Sequence, residues 1–403
     1  MKLFYNDADG SWYHTSMKRD VTFGGDNRSL PFQETISDSS SAFHVNLENQ
    51  HAGPFIGIIT ARKADGTIAG NSALFIKLQK QILLQGGISY IFTPDDAHKD
   101  FISGYMYLPD QQQWKKIKAP YPDIVYNRIP FRKVEEEDRY QTFFSILKLK
   151  KIPFFNPCFL HKFELYKVLQ NNQDLKHSIP KTELITDPQT FYYFLQLYPS
   201  VYLKPSQSAK GKGILRLSFL DPQIRIEGMK TKETYPAFAD FWKQWENDLL
   251  SKQYLVQEEV QSLMHEGKKF DFRILAHAGK DRYIVTGVGV RQAGIQDITT
   301  HIPNGGKLLP YQLFHTDELD RFIDRAVNII GDSLTSKYGF FGEFSIDAGI
   351  STNGDYFIYE VNSKPMSFDE AEIEQKKIEQ LCKLFFQLTN FPPAHEKQAN
   401  TTE

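Results

Sequence analysis

The sequence predicts an α/β protein, and three observations carry that reading. Strand and helix patterns alternate after Pro54, a strand–glycine loop–strand unit runs from Ser200 to Leu217, and Phe340 to Pro365 reads as a hairpin rich in oxygen ligands. At 403 residues the chain exceeds one simple core, since domains average ~150 residues, so roughly two or three are expected. Hydrophobic residues, 41% of the total, suffice to pack them.

Taken in order, residues 1 to 50 read as a β-rich extension, from short runs such as Lys2-Leu3-Phe4-Tyr5 and Asp20-Val21-Thr22-Phe23, closing on the serine-rich segment Ser37 to Ser41. Residues 51–155 then follow an α/β pattern: strand Phe55 to Thr60, helix Asn71 to Gln85, strand Ile88 to Phe92, a hairpin-like segment around Trp114, strand Asp123 to Tyr126, helix Glu135 to Lys150 and strand Pro153 to Asn156. Strands alternating with helices imply a parallel sheet. Residues 156–390 form a second domain, with helices His161 to Gln170 and Pro188 to Leu197, strand Glu183 to Ile185 and an aromatic-rich helical segment from Tyr235 to Lys252. From Thr316 to Lys337, Leu319, Phe322, Ile323, Ala326, Val327 and Ile330 recur at helical spacing, which marks a core-facing helix. A last helix spans Glu370 to Gln387, and 391–403 read as a disordered tail.

Composition excludes several classes. The net charge is −2, with no arginine-rich arm, so a nucleic-acid groove is not indicated. The N-terminus lacks an apolar signal region and no run reaches the ~18 apolar residues of a membrane span, so a cytoplasmic protein is expected. Cys158 and Cys382 are the only cysteines. They allow neither a disulfide framework nor a cysteine zinc site, and read as buried thiols.

Two segments suggest chemistry. On alternating strands Glu360 and Asn362 share a face, and Asp347 lies on the partner strand across an Asn-Gly turn. Three oxygen ligands can thus converge on one hard cation, and Mg²⁺ that bridges nucleotide phosphates suits so incomplete a cage. A hairpin whose polar residues merely face water would read the same. The second segment is the strand Ser200 to Pro205, which carries Lys204 and leads into the loop Ser206 to Gly213 with Ser208 and Gly211, then the strand Ile214 to Leu217. Glycines let backbone N–H groups approach phosphates and Lys204 adds a compact positive charge. It is not a Walker A loop, and by itself it equally fits an ordinary hairpin.

The order of Lys162, Lys204 with its loop, the apolar strand Tyr254 to Val260, Phe270-Asp271-Phe272-Arg273, Arg291, Asp347 and Glu360-Val361-Asn362 resembles the ATP-grasp superfamily. Gly53 to Ile58, Pro122 to Arg128 and Glu360 to Pro365 narrow the resemblance to its YheC/YheD group of endospore coat-associated proteins, over about residues 50 to 390. It implies a small parallel-sheet domain followed by two α+β subdomains clasping ATP. It also implies that Lys162 and Lys204 meet the α and β phosphates, that Gln257 faces the adenine amine while the backbone of Glu258 and Val260 pairs with the ring edge, and that Asp347, Glu360 and Asn362 hold Mg²⁺, with Glu343 an outer candidate. Arg291 matches the arginine of the γ-phosphate, and Asp271 with Arg273 resembles the Asp-x-Arg element of some branches. Where relatives place a ribose-binding carboxylate this chain has Lys268-Lys269, leaving Glu266 the nearest acidic residue. His301 is a candidate substrate contact and equally a structural histidine. Arg128, with Arg132, is a candidate anchor for a substrate carboxylate at the end of a parallel strand.

The reaction so implied is ADP-forming ligation through an acyl phosphate, of a carboxylate to an amine or less often a thiol or hydroxyl, on an amino acid or peptide. It needs no nucleophilic side chain, because the substrate carboxylate is itself the nucleophile. Two other readings stay open: a non-catalytic nucleotide-binding protein of the spore coat, and a small-molecule kinase. Small-molecule or peptide substrates, spore-coat components and further copies of the chain are the partners implied, with neither nucleic acid nor membrane.

Overall fold

A computed structural model describes residues 1–16, 20–206, 213–229, 231–294, 300, 302 and 305–391. The N-terminal segment forms two small sheets. Ser11–His14, Lys2–Asn6 and Ser40–His44 make one, and Arg28–Leu30, Val21–Phe23, His51–Gly53 and Asn46–Glu48 the other. Neither has its own core. Leu3, Trp12, Phe23 and Phe43 pack in one cluster with Phe55, Tyr90 and Ile117 of the following sheet, and the Trp12 indole donates to the Lys118 carbonyl at 2.7 Å.

That sheet has six strands in the order Gln113–Ala119, Ile102–Leu108, Ile88–Phe92, Phe55–Ile59, Ile124–Asn127 and Phe154–Phe155. The last four are mutually parallel, as the alternation with helices requires. The first two are antiparallel, so the sheet is mixed rather than purely parallel. The physical reason is the connection between Leu108 and Gln113, far too short for a parallel crossover. Helix Ser72–Leu84 covers one face, its N-terminus capped by the Asn71 side chain, which accepts from the Leu74 amide at 3.1 Å.

The second sheet is antiparallel throughout, in the order Thr182–Leu184, Tyr254–Glu258, Ser200–Pro205, Leu215–Leu220, Gln223–Gly228 and Lys232–Tyr235. Helices Pro188–Leu197 and Phe238–Ser251 bury Phe191, Phe241 and Trp242 against its Leu203, Leu217 and Ile226.

The third is also antiparallel, in the order Lys307–Leu309, Tyr283–Gln292, Lys268–Ala278, Glu343–Ile350 and Tyr356–Asn362, with Met264–His265 beside Lys268–Ala278. Alternation divides Lys268–Ala278 cleanly. Phe270, Phe272, Ile274 and Ala276 join the core beneath helix Asp317–Tyr338, which buries Leu319, Phe322, Ile323, Ala326, Val327 and Ile330. Asp271, Arg273, Leu275 and His277 therefore face the other way. The same core contains Ile56, Tyr126 and Phe155, so it runs on into the six-stranded mixed sheet.

Cys382 is buried and Cys158 half-buried, both unpaired thiols. No helix among the described residues is long and apolar enough to cross a membrane.

Candidate active site

Four neighbouring strands of the third sheet bring the predicted polar residues onto one face. The pairing sets Asp271 opposite Arg291, Arg273 opposite Asp347, Asp347 opposite Glu360 and Ser345 opposite Asn362. The turn between the last two strands holds Gly354 at φ +88°, which glycine adopts without strain. Arg291 is gripped in a fork: its Nε donates to Asp271 Oδ1 at 2.9 Å and its Nη2 to Oδ2 at 2.7 Å. The same Nη2 lies 3.2 Å from Asp347 Oδ1, and Thr300 Oγ1 donates to Asp271 Oδ2 at 2.5 Å. Burial alone would weaken the guanidinium's hold on its proton, but Asp271 and then Asp347 outweigh it and raise the Arg291 pKa. The planar charge is thus fixed and permanent, as the stabilisation of a phosphoryl group requires.

The second sheet supplies the facing wall. Lys204, Gln257, Glu258 and Val260 line one cleft together with Asp271, Arg291, Asp347 and Glu360. Lys204 Nζ donates to Gln257 Oε1, and Gln257 Nε2 in turn donates to Thr182 Oγ1 at 2.9 Å, so the Gln257 side chain is engaged within the protein. Desolvation lowers the Lys204 pKa to about 8. The strand Tyr254–Glu258 is not an edge, because Thr182–Leu184 pairs along its other side. The N–H groups of Glu258 and Glu259 are taken by the carbonyls of Lys181 and Ser200, both at 2.9 Å.

Several lining residues escaped sequence reasoning: Tyr202, Ser262, Lys269, Thr300 and Tyr359. Lys269 was findable, since alternation from Asp271 puts it on the same face. Its Nζ donates to Glu259 Oε1 at 2.6 Å and to the Tyr202 hydroxyl at 3.1 Å, placing a cation where the resemblance led one to seek a carboxylate. Glu266, the acidic alternative, is exposed and pairs loosely with Lys307 at 3.8 Å, away from the cleft lining.

Other candidates lie at the rim or apart. Lys162 reaches the cleft through an ion pair with Glu360 at 2.8 Å. Arg273 stacks over Phe368, 5.2 Å from its centroid. Ser206 is buried, and Gly213 takes φ +75° beside Pro205. Ser208, Gly211 and His301 lie outside the described residues. Arg132 donates to the Leu160 carbonyl at 2.5 Å. Arg128 and Glu343 meet each other, with Arg128 Nη1 2.8 Å from Glu343 Oε1 and Nη2 donating to the Pro365 carbonyl at 2.9 Å. Tyr126 also donates to Glu343 Oε1, while Lys377 and His277 lie 3.7 and 3.8 Å from Oε2. Glu343, His277 and Lys377 are wholly buried.

Asp347, Glu360 and Asn362 are adjacent in register and offer only hard oxygen donors, which fits Mg²⁺. Among the described residues no group of three or more His, Cys, Asp or Glu side chains forms a metal cage.

Comparison with known proteins agrees with this geometry. The model of a family described as "YheC/D like ATP-grasp" matches residues 151–391. Endospore coat-associated protein YheD of Bacillus subtilis (strain 168) is 28% identical over 367 residues, 83% of this chain and 80% of the relative. YheC of the same organism is 23% identical over 311 residues, 73% and 85% of the respective chains. Among solved structures, D-alanyl-alanine synthetase A from Vibrio cholerae matches with TM-score 0.50 at 12% identity, covering 84% of this chain and 98% of the other. VanG D-Ala:D-Ser ligase from Enterococcus faecalis matches with TM-score 0.50 at 13% identity, covering 84% and 99%. These two likenesses show a shared fold, and the family model identifies it as ATP-grasp.

Proposed function

The chain belongs to the YheC/D-like ATP-grasp family, and from that premise we propose that it is an ATP-dependent, ADP-forming ligase joining a carboxylate to an amine, or less often a thiol, through an acyl phosphate. The observation that carries the reading is one cleft lined by Lys204, Arg291, Asp347 and Glu360 from two facing sheets. Lys204, with Lys162 at the rim, would meet the α and β phosphates, and Asp347, Glu360 and Asn362 would hold Mg²⁺. Bound there, the metal neutralises charge at the transferring phosphoryl group.

Arg291 is pre-oriented by Asp271, so it stabilises developing charge without reorganising at the moment of transfer. The Tyr254 to Val260 segment would take adenine, with the backbone of Glu258 and Val260 at the ring edge, and Lys269 stands ready for the ribose. The reaction needs no nucleophilic side chain, because the substrate carboxylate itself attacks.

The names of the relatives favour a second reading, a nucleotide-binding spore-coat component without turnover. Measuring ADP and phosphate release in the presence of amino acid and peptide pools separates the two. Release that requires both a carboxylate and an amine, with a matching mass adduct, is expected; tight Mg²⁺·ATP binding with no release under any pool would overturn the ligase.

A further inference from the structure

We propose that the sheet face beyond Arg291 holds an acceptor subsite in which Glu370 receives a primary ammonium group. The proposal rests on the ligase reading and deepens it, by choosing an amine over a thiol or hydroxyl.

Glu370 immediately precedes helix Ala371–Leu388 and is half-buried, with its Oε1 buried and lacking any hydrogen-bond partner. It lies over Gly289, which stands opposite Arg273 in the pairing. A Cβ at position 289 would come within 2.4 Å of Oε1 and 3.0 Å of the carboxyl carbon, so any side chain there would push the carboxylate from this position. Three neighbours on the same face are also buried and unpartnered: Arg273 Nε, Arg291 Nη1 and Ser345 Oγ. Native proteins rarely leave such groups unsatisfied, and four around one patch point to a polar ligand.

The chemistry of the four selects that ligand. The guanidinium groups can only donate, so they suit carboxylate or acyl-phosphate oxygens. Glu370 is the one carboxylate, and it forms no ion pair with either arginine. A buried carboxylate oxygen without a hydrogen-bond donor is best matched by an ammonium, which brings three N–H donors where a thiol or hydroxyl brings one. Burial raises the Glu370 pKa against the opposing pull of Arg273 and Arg291, as expected of a carboxylate still lacking its own cation. Leu275, Phe368 and Ile373 form a small apolar cluster beside it.

Saturation-transfer NMR on the full chain tests this, with and without Mg²⁺ and a non-hydrolysable ATP analogue. The probes are a mixture of L-amino-acid amides, which carry an ammonium, and the same amides N-acetylated. Binding of the free amides only is expected, weakened on the order of tenfold or more in Glu370→Gln and retained in Glu370→Asp. Equal binding of the acetylated set, unaltered binding in Glu370→Gln, or nucleotide binding with no amide binding would overturn the subsite. Amide binding without nucleotide binding would instead overturn the ATP-dependent reading and leave the subsite standing.

Discussion

Asp271, Arg291 and Asp347 line an open cleft, whereas His277 and Glu343, further along the same sheet face, are sealed inside the protein with Arg128 and Lys377. Both groups combine basic and acidic side chains at similar distances. They differ in what covers them. Leu275, Phe368 and Ile373 form an apolar plug between the two, and helix Ala371–Leu388 brings Lys377 down over Glu343. In the sealed group Arg128 and Lys377 share the one carboxylate of Glu343, and the three come from three parts of the chain, which ties the first domain to the last sheet. Both groups keep buried polar atoms without a hydrogen-bond partner, Arg291 Nη1 in the cleft and Glu343 Oε2 and His277 Nε2 in the tie. It is the opening to a ligand that separates the site from the tie, since only the first group lines a cleft.

That difference also measures how far the sequence could be read. Helix Pro188–Leu197 and strands Ser200–Pro205 and Ile88–Phe92 end where periodicity and Pro or Gly punctuation place them. The hairpin ligands fell on one face because alternation along a strand is local. What local patterns do not contain is the cover. Arg128 follows a parallel strand, where ligand crevices are common, yet Glu343 and the Pro365 carbonyl, both distant in sequence, occupy its guanidinium. Strands Gln223–Gly228 and Lys232–Tyr235 were missed because their inward alternation is too short to register, with Ile224 and Ile226 the only apolar pair in the first. Glu370 drew no notice, since only the absence of a side chain at Gly289 gives it a place.

The largest effect should come from the cleft. Removing Arg291 alone would strand Asp271 as an uncompensated buried charge, so the informative variant is Arg291→Ala/Asp271→Asn. Its kcat is expected to fall by about 10²–10³ with Mg²⁺·ATP affinity nearly unchanged, as for loss of one transition-state donor. Single-turnover ADP release alongside nucleotide titration measures both. A large loss of affinity would place Arg291 in ground-state binding instead.

The sealed group should respond in stability. Glu343→Gln leaves Arg128 and Lys377 without their counter-charge and is expected to cost about 3–5 kcal/mol in urea unfolding. Nucleotide affinity of the folded fraction should stay intact; if affinity fell while stability held, the two groups would not be separate. Acid is a second probe. Burial depresses the His277 pKa to about 4, whereas an unfolded imidazole titrates near ~6.5. The unfolded chain therefore binds this proton first, and stability is lost as pH falls through that interval. Glu343, held low by Lys377 and Arg128 against the effect of burial, adds to the loss once its unfolded carboxyl begins to protonate.

Lys204 gives a smaller effect at the opposite end of the scale. Its pKa of about 8 means that its charge fades in mildly alkaline solution. Phosphate binding favours the protonated form, so ATP affinity should be full below pH 8 and decline above it by at most ~tenfold per unit, for one linked proton. Lys204→Arg should flatten that decline. An affinity independent of pH from 7 to 9.5 in the unmodified chain would mean Lys204 does not meet the phosphates.

The rim pair Lys162–Glu360 sharpens the contrast most finely, because its 2.8 Å separation matches that of the sealed Arg128–Glu343 pair. Its side chains keep 17% and 27% of their surface exposed, against 9% and 0% for the sealed pair. Water screens the rim pair and supports either ion alone, so a double-mutant cycle of Lys162→Ala and Glu360→Gln should give a coupling of only ~0.2–1 kcal/mol in stability. Glu360→Gln should nonetheless weaken Mg²⁺-dependent nucleotide binding, because a metal ligand is lost whatever the pair contributes to folding. A coupling near the several kcal/mol expected of the sealed pair would mean that distance alone governs these charges, and cover would no longer distinguish site from tie.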